Sequence, residues 1–281
     1  MEYIVLDLEW NGTYSRKKKQ FFNEIIEFGA VKLNEERKVI DYFTELVRPA
    51  VGKKLSRRVK KLTHIEQDEV LSGVPFSRAL HLFKRFLGNG VLLTWGISDL
   101  LVLIENHQYY FGTKRLAFLN GYLDLQRYCQ FILLCDQKHQ MGLYKAAKLF
   151  GIDQNTEERH RALYDSMIAA DCFVSAFNLS SFFMLLQDTS SEIFFEKLFF
   201  QKTPIYDLSD PRIDWEEMFF DCEHCQEKAK RISDWKVKQK SFTALFRCST
   251  CGEEFMGRIR LIQTYDSILV KKKRYQSREE S

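Results

Sequence analysis

Tyr3-Ile4-Val5-Leu6-Asp7-Leu8-Glu9, followed by Trp10-Asn11-Gly12, decides how the rest of the chain is read. A short apolar run bounded by acids, with a turn signal at Asn11-Gly12, predicts a buried strand. Asp7 and Glu9 stand two residues apart at its end, so an extended backbone turns both carboxylates to one face. Two such acids repel, and the arrangement is tolerable when cations share the site.

Outward from this strand, residues 28–33 and 39–47 read as two more strands of a meander, the last ending at Pro49. Residues 76–87 carry Phe76, Leu80, Phe83 and Leu87 at helical spacing behind Pro75, and residues 91–95 form another buried strand ending at Gly96. Helices are expected after Asp99, over residues 143–150 with Gly151 as the stop, and over residues 162–186. Strands first, then strands alternating with helices, predict an α/β fold with a mixed central sheet flanked by helices. The expected division is a domain over residues 1–187, a connector over 188–215 and a small unit over 216–281.

Composition narrows the class. The chain has 281 residues, 45% apolar and 28% charged, which excludes a disordered tail and a disulfide-dense miniprotein. Its longest uncharged stretch, residues 172–187, falls short of the roughly 20 apolar residues of a membrane span. No basic, apolar leader pattern opens the sequence, so a cytoplasmic protein with no membrane partner is expected. Seven cysteines then read as thiols or metal ligands. The net charge of +4 is uneven, with 13 Lys and Arg against four acids over residues 228–274.

Asp99 follows the strand at 92–96, and His160 and Asp165 lie near the start of the last large helix. Acids at strand ends joined by an acid on a helix are the means by which a hydrolase builds a two-metal site for phosphodiester cleavage. Over about residues 1–180 the sequence resembles the DEDDh, or DnaQ-like, 3′–5′ exonuclease superfamily, of RNase H-like fold. Four segments carry the resemblance in order: Val5-Leu6-Asp7-Leu8-Glu9 with Asn23-Glu24-Ile25-Ile26-Glu27-Phe28-Gly29-Ala30-Val31; Leu62-Thr63-His64-Ile65; Thr94-Trp95-Gly96-Ile97-Ser98-Asp99; and His160-Arg161-Ala162-Leu163-Tyr164-Asp165-Ser166. The sister class places a tyrosine four residues before its last aspartate, where Arg161 stands here, and His160 lies five before. The resemblance implies that Asp7, Glu9, Asp99 and Asp165 hold two Mg²⁺ or Mn²⁺ ions and that His160 is the general base.

It further implies release of nucleoside 5′-monophosphates from single-stranded 3′ ends. The RNA-processing branch, with histone-mRNA 3′ exonucleases and KapD-like proteins, is the better match, so RNA is favoured over DNA. A partner-docked proofreading module and a non-catalytic nucleic-acid binder are the rivals, and no nucleotide cofactor is expected. The segment after Glu9 departs from the superfamily's small Thr-Thr-Gly; Trp10, which offers a stacking face, Asn11 and His64, which replaces a glycine, are the candidate substrate contacts. Lys53, Lys54, Arg57, Arg58, Lys60 and Lys61 form a basic loop able to grip phosphates.

Cys222-x2-Cys225, 22 residues, then Cys248-x2-Cys251 is zinc-ribbon spacing, and four thiolates leave no open position on the ion. One structural Zn²⁺ is expected, substituting for the core that so small a unit lacks. His224 reads as a bystander. Between the knuckles, Trp235-Lys236-Val237-Lys238-Gln239-Lys240 and Phe242 predict a hairpin with a lysine-lined face, suited to a single strand or to a protein partner.

Overall fold

β1 (Tyr3–Ser15) and β2 (Gln20–Leu33) form one long antiparallel hairpin in the computed structural model, which describes residues 1–16, 19–52, 54–135, 139–154 and 160–275. The turn expected at Asn11-Gly12 is absent. A bulge between Glu9 and Trp10 shifts the register, so that Glu9 pairs with Glu27 and Trp10 with Ile25, and the ladder continues to Ser15–Gln20. The Asn11 side chain bonds outward to a neighbouring loop, donating to Lys54 O at 3.2 Å and accepting from Ser56 N at 3.0 Å. It is therefore unavailable for the local backbone bond that would favour a turn.

β3 (Val39–Leu46) completes the meander, and α1 (Arg57–Thr63), α2 (Gln67–Ser72) and α3 (Phe76–Leu87) precede β4 (Val91–Thr94). Next come α4 (Ser98–Phe111), β5 (Gly121–Asp124), α5 (Leu125–Ile132), α6 (Leu143–Leu149), α7 (Ala162–Ala176), α8 (Leu179–Leu185) and β6 (Gln187–Asp188). The sheet order is β3-β2-β1-β4-β5-β6, with β1, β4 and β5 parallel and the other pairs antiparallel. Tyr3, Val5, Val31 and Leu93 turn one face toward α5, α6 and α7. Phe28 packs against Phe76 and Phe83 of α3 on the other. By strand parity Asp7 and Glu9 share the face of Tyr3 and Val5, the α7 side.

Gly29 sits opposite Asp7 in the β1–β2 ladder, and a Cβ there would come within 2.0 Å of the Ala162 carbonyl carbon. Its bare backbone is what lets the first turn of α7 rest directly on β2. Gly29→Ala is expected to lever α7 off the sheet, costing about 3 kcal/mol as overpacking does. Chemical denaturation checks this; unchanged stability would contradict the packing.

The chain divides into two compact units, Met1–Phe195 and Glu196–Ser281. The segment expected as a connector is built into both sheets: β6 pairs with β5, and β7 (Thr203–Ile205) pairs with a strand of the second unit. α9 (Glu192–Phe199) comes between β6 and β7 in the sequence. The second unit comprises β8 (Phe220–Asp221), β9 (Lys228–Arg231), β10 (Lys236–Lys238), β11 (Ser241–Cys248), β12 (Glu254–Gln263) and β13 (Ile268–Tyr275), with a 3-10 turn at Trp215–Met218. Its sheet runs β13-β12-β11-β9-β8, with β10 on β11 and β7 on β12. This unit does not lack a core: Phe220, Phe242, Phe246, Phe255, Ile259 and Leu261 are buried together.

Candidate active site

Asp7, Glu9, Trp10, Asp99, His160 and Asp165 line one cleft of about 640 Å³ in the first unit. The parallel pairing of β1 with β4 sets Leu6, the residue before Asp7, beside Thr94, where Thr94, Gly96 and Tyr122 share hydrogen bonds. α4 begins just beyond. From its first turn Asp99, 5% exposed, accepts from Leu8 N at 2.9 Å, between the two strand acids.

Asp165, in the first turn of α7, is equally recessed. Ligand atoms of Glu9, His160 and Asp165 lie within 4.8 Å of one another. Glu27 fixes this arrangement. Its carboxylate accepts from Ala162 N at 3.0 Å, capping α7, and holds the Arg161 guanidinium at 2.8 Å. Arg161 is thereby turned out of the cleft, where the sister class would need its tyrosine.

A second set of residues shapes the cleft wall. The Glu24 carboxylate accepts from Ala50, Val51 and Gly52 N at 2.6, 2.8 and 2.7 Å. With Asn11 it pins the loop that leads into α1, capped by Ser56. α1 then presents Arg58, Val59, Leu62 and Thr63 to the cleft. Asn11 is therefore a strut, 1% exposed and outside the lining. His64 is also outside it: it ends α1 in a left-handed conformation (φ 58°), the geometry that suits a glycine at that position. Of the basic loop, Lys53 lies outside the described residues, Lys60 pairs with Glu66, and Arg58 faces the cleft.

Tyr144 was not legible in the sequence as a site residue. Its hydroxyl donates to Asp165, and its ring lies edge-on to His160 at 6.3 Å. Trp95 Nε1 and Gln126 Nε2 both donate to Met141 O, at 3.0 and 2.8 Å, fixing the start of α6 that carries Tyr144.

Burial, then the charges of Asp99, Glu9 and Asp165, hold Asp7 well above the usual carboxylate range. Glu9 is pushed up to about 9 by burial and by Asp165, Glu27 and Asp99, with Arg161 offsetting in part. Burial raises Asp99 to about 7 against the Leu8 N–H bond. Such a set of desolvated, mutually repelling carboxylates with one neighbouring guanidinium fits divalent cations bound by hard oxygens. A group whose folded pKa exceeds its unfolded value makes the native state hold the extra proton, so stability falls as pH rises through that window. For Glu9 the window runs from 4.5 to about 9, and for Asp99 from 3.8 to about 7. The metal-free protein is therefore expected to melt at lower temperature as pH rises, and Mg²⁺ to restore most at the alkaline end. Melting curves with and without Mg²⁺ across this range check it; an equal shift at both ends would count against a carboxylate cation site.

In the second unit the Sγ atoms of Cys222, Cys225, Cys248 and Cys251 lie within 4.8 Å of one another. The two knuckles repeat one geometry. Cys222 N donates to Glu227 O and Gln226 N to Cys222 O, while Cys248 N donates to Glu253 O and Gly252 N to Cys248 O. Gln226 and Gly252 take the left-handed turn, at φ 59° and 74°. Backbone N–H groups of Cys251 and Thr250 push the Cys248 thiol down to about 6. Cys222, against backbone bonds from Cys225, is pushed up to about 12 by burial and by Cys251 and Glu253, so without a cation the four sulfurs do not all ionise together. The cluster is compatible with a zinc ribbon. His224 is exposed, 3.6 Å from Glu253.

Residues 4–173 match the Exonuclease (RNase_T) family profile. The probable 3′-5′ exonuclease KapD of Bacillus subtilis (strain 168) is 32% identical over 176 residues, 60% of this chain and 82% of KapD. A PolC-type DNA polymerase III of Staphylococcus aureus (strain bovine RF122 / ET3-1) is 29% identical over 175 residues, of which the match spans 61% of this chain and 11% of the polymerase. Among solved structures, the nuclease domain of 3′hExo, a DEDDh family member bound to rAMP, has the same fold with a TM-score of 0.54. It is 24% identical, with 62% of this chain and 90% of that one covered. Among the described residues no helix is long and apolar enough to cross a membrane. On the strength of the matched profile and the KapD relationship, the chain belongs to the exonuclease family.

Proposed function

We propose that the chain is a 3′–5′ exonuclease that trims single-stranded ends, RNA in preference to DNA, and releases nucleoside 5′-monophosphates. The observation that carries this reading is the meeting of four carboxylates and His160 in one cleft. Asp7, Glu9, Asp99 and Asp165 would hold two Mg²⁺ or Mn²⁺ ions, which when bound lower the pKa of water and stabilise charge on phosphate oxygens. His160 takes the proton of the attacking water as the bond from phosphorus to the 3′ oxygen breaks, work suited to imidazole near neutral pH. Tyr144 and Glu27 position Asp165 and the turn that carries His160. Trp10 lines the cleft with an aromatic face for the terminal base. The four thiolates would hold one structural Zn²⁺.

Preference for RNA is supported by the Thr94-Trp95-Gly96 lead into Asp99 and by a relative bound to rAMP. The PolC likeness favours a second reading, a proofreading module docked on a polymerase. Matched 5′-labelled RNA and DNA single strands incubated with Mg²⁺ or Mn²⁺ decide between them. A ladder of shortened RNA supports the proposal, trimming confined to DNA favours the second reading, and intact strands in both metals overturn both.

A further inference from the structure

We propose that the outward face of the β10-β11-β12-β13 sheet in the second unit binds the sugar–phosphate backbone of a single-stranded nucleic acid, in addition to the carboxylate cleft. The inference rests on the reading that the chain acts on nucleic acid. Across β12 and β13, Arg258 stands directly opposite Lys273 and Arg260 opposite Lys271. Thr243 links Arg258 to Lys236 of β10, so one rung reads Lys236-Thr243-Arg258-Lys273. Lys238 follows two residues on, on the same face.

Like charges directly opposite on a sheet destabilise it. Among the described residues no carboxylate pairs with any of these six cations, and Arg258 bonds only the Gln239 amide oxygen, at 3.2 Å. The same strands treat the cations of their other face differently. Lys272 is paired with Glu217 at 2.9 Å, and Arg274 with Glu223 at 3.6 Å while lying over Phe255 at 4.4 Å. On the outward face the acid Glu254 stands at the far end, opposite Arg247 and paired with it, and none accompanies the six cations, which leaves a repulsive ladder that an external polyanion relieves.

Neighbouring strands stand about 4.8 Å apart and rungs about 6.8 Å apart, so the cations form a lattice that a flexible phosphate backbone can follow. Tyr275, 39% exposed on the same face and 5.2 Å from Lys273 Nζ, supplies a ring for a base. Trp235 and Phe242 do not serve, because both pack into the aromatic core. A protein interface is disfavoured, since the centre of such a patch is depleted of lysine.

The test is fluorescence anisotropy of the full chain with a labelled oligouridine of about 20 nucleotides, no divalent ion added, over a salt series. Arg260→Gln/Lys271→Gln is expected to weaken binding about 10-fold and to flatten the slope of log K against log salt by about 1.4, at 0.7 per lost cation. Its melting temperature should hold or rise, because the repulsion is gone. Lys272→Gln, on the paired face, should leave the salt slope unchanged. Equal affinity and slope in the double variant overturn the inference, as does binding of a labelled polyglutamate by a chain that does not bind oligouridine. Trimming that fails in Mg²⁺ while this binding persists would sink the catalytic reading alone.

Discussion

Asp7→Asn is expected to lower Mg²⁺-dependent trimming by about 10,000-fold or more, the scale seen when one member of a catalytic unit is removed. It should at the same time raise the melting temperature of the metal-free protein near neutral pH. The two outcomes have one cause. Asp7 is surrounded by Asp99, Glu9 and Asp165, each of which raises its pKa, and it adds to the cost of ionising the set. An isosteric amide needs no proton taken up on folding and opens no cavity, so the metal-free fold gains stability while the proposed cations lose a ligand. Trimming rates and melting curves on the same preparation make the check. Retained activity would remove Asp7 from the site, and lost activity accompanied by a lower melting temperature would point to misfolding instead.

With the four thiolates holding Zn²⁺ as proposed, Cys248→Ser should abolish zinc content and unfold the second unit. A structural zinc contributes about 10–16 kcal/mol in small zinc-folded domains, whereas a domain's whole stability is about 5–15 kcal/mol. The aromatic core around Phe220, Phe246 and Phe255 cannot make up the difference, because β8 and β9 reach it from the first knuckle, and β11 and β12 are joined through the second. Elemental analysis with limited proteolysis reads the result: rapid cleavage within residues 196–275 and a resistant fragment of residues 1–195. A zinc-free variant that resists protease would show that the apolar core suffices.

Those parts of the fold with a strong local period were legible. Phe76, Leu80, Phe83 and Leu87 marked α3 to the residue, and the Asp7-x-Glu9 pair, Asp99, His160 and Asp165, singled out by their places at element ends and by the exonuclease resemblance, line one cleft. Features depending on distant partners were not. The bulge at Glu9/Trp10 has no local signature, so Asn11-Gly12 read as a turn. Tyr144 looked like one more half-apolar helix residue until Trp95 and Gln126 fixed the loop before it. The break between α7 and α8 did leave a trace: Asn178 accepts from Ser181 N as a cap, and an Asn two residues before two serines is a helix-start signal.

Because side-chain direction alternates along a strand, the bulge at Glu9/Trp10 acts as a parity boundary. Between Asp7 and Glu9, a single inserted residue would send the two carboxylates to opposite faces. Above the bulge, the ladder from Trp10–Ile25 to Ser15–Gln20 grows or shrinks two residues at a time without disturbing either carboxylate. The distal hairpin is thus a length-adjustable arm beside a fixed carboxylate cleft, the place where a homologous chain can vary its reach while the two acids stay in register.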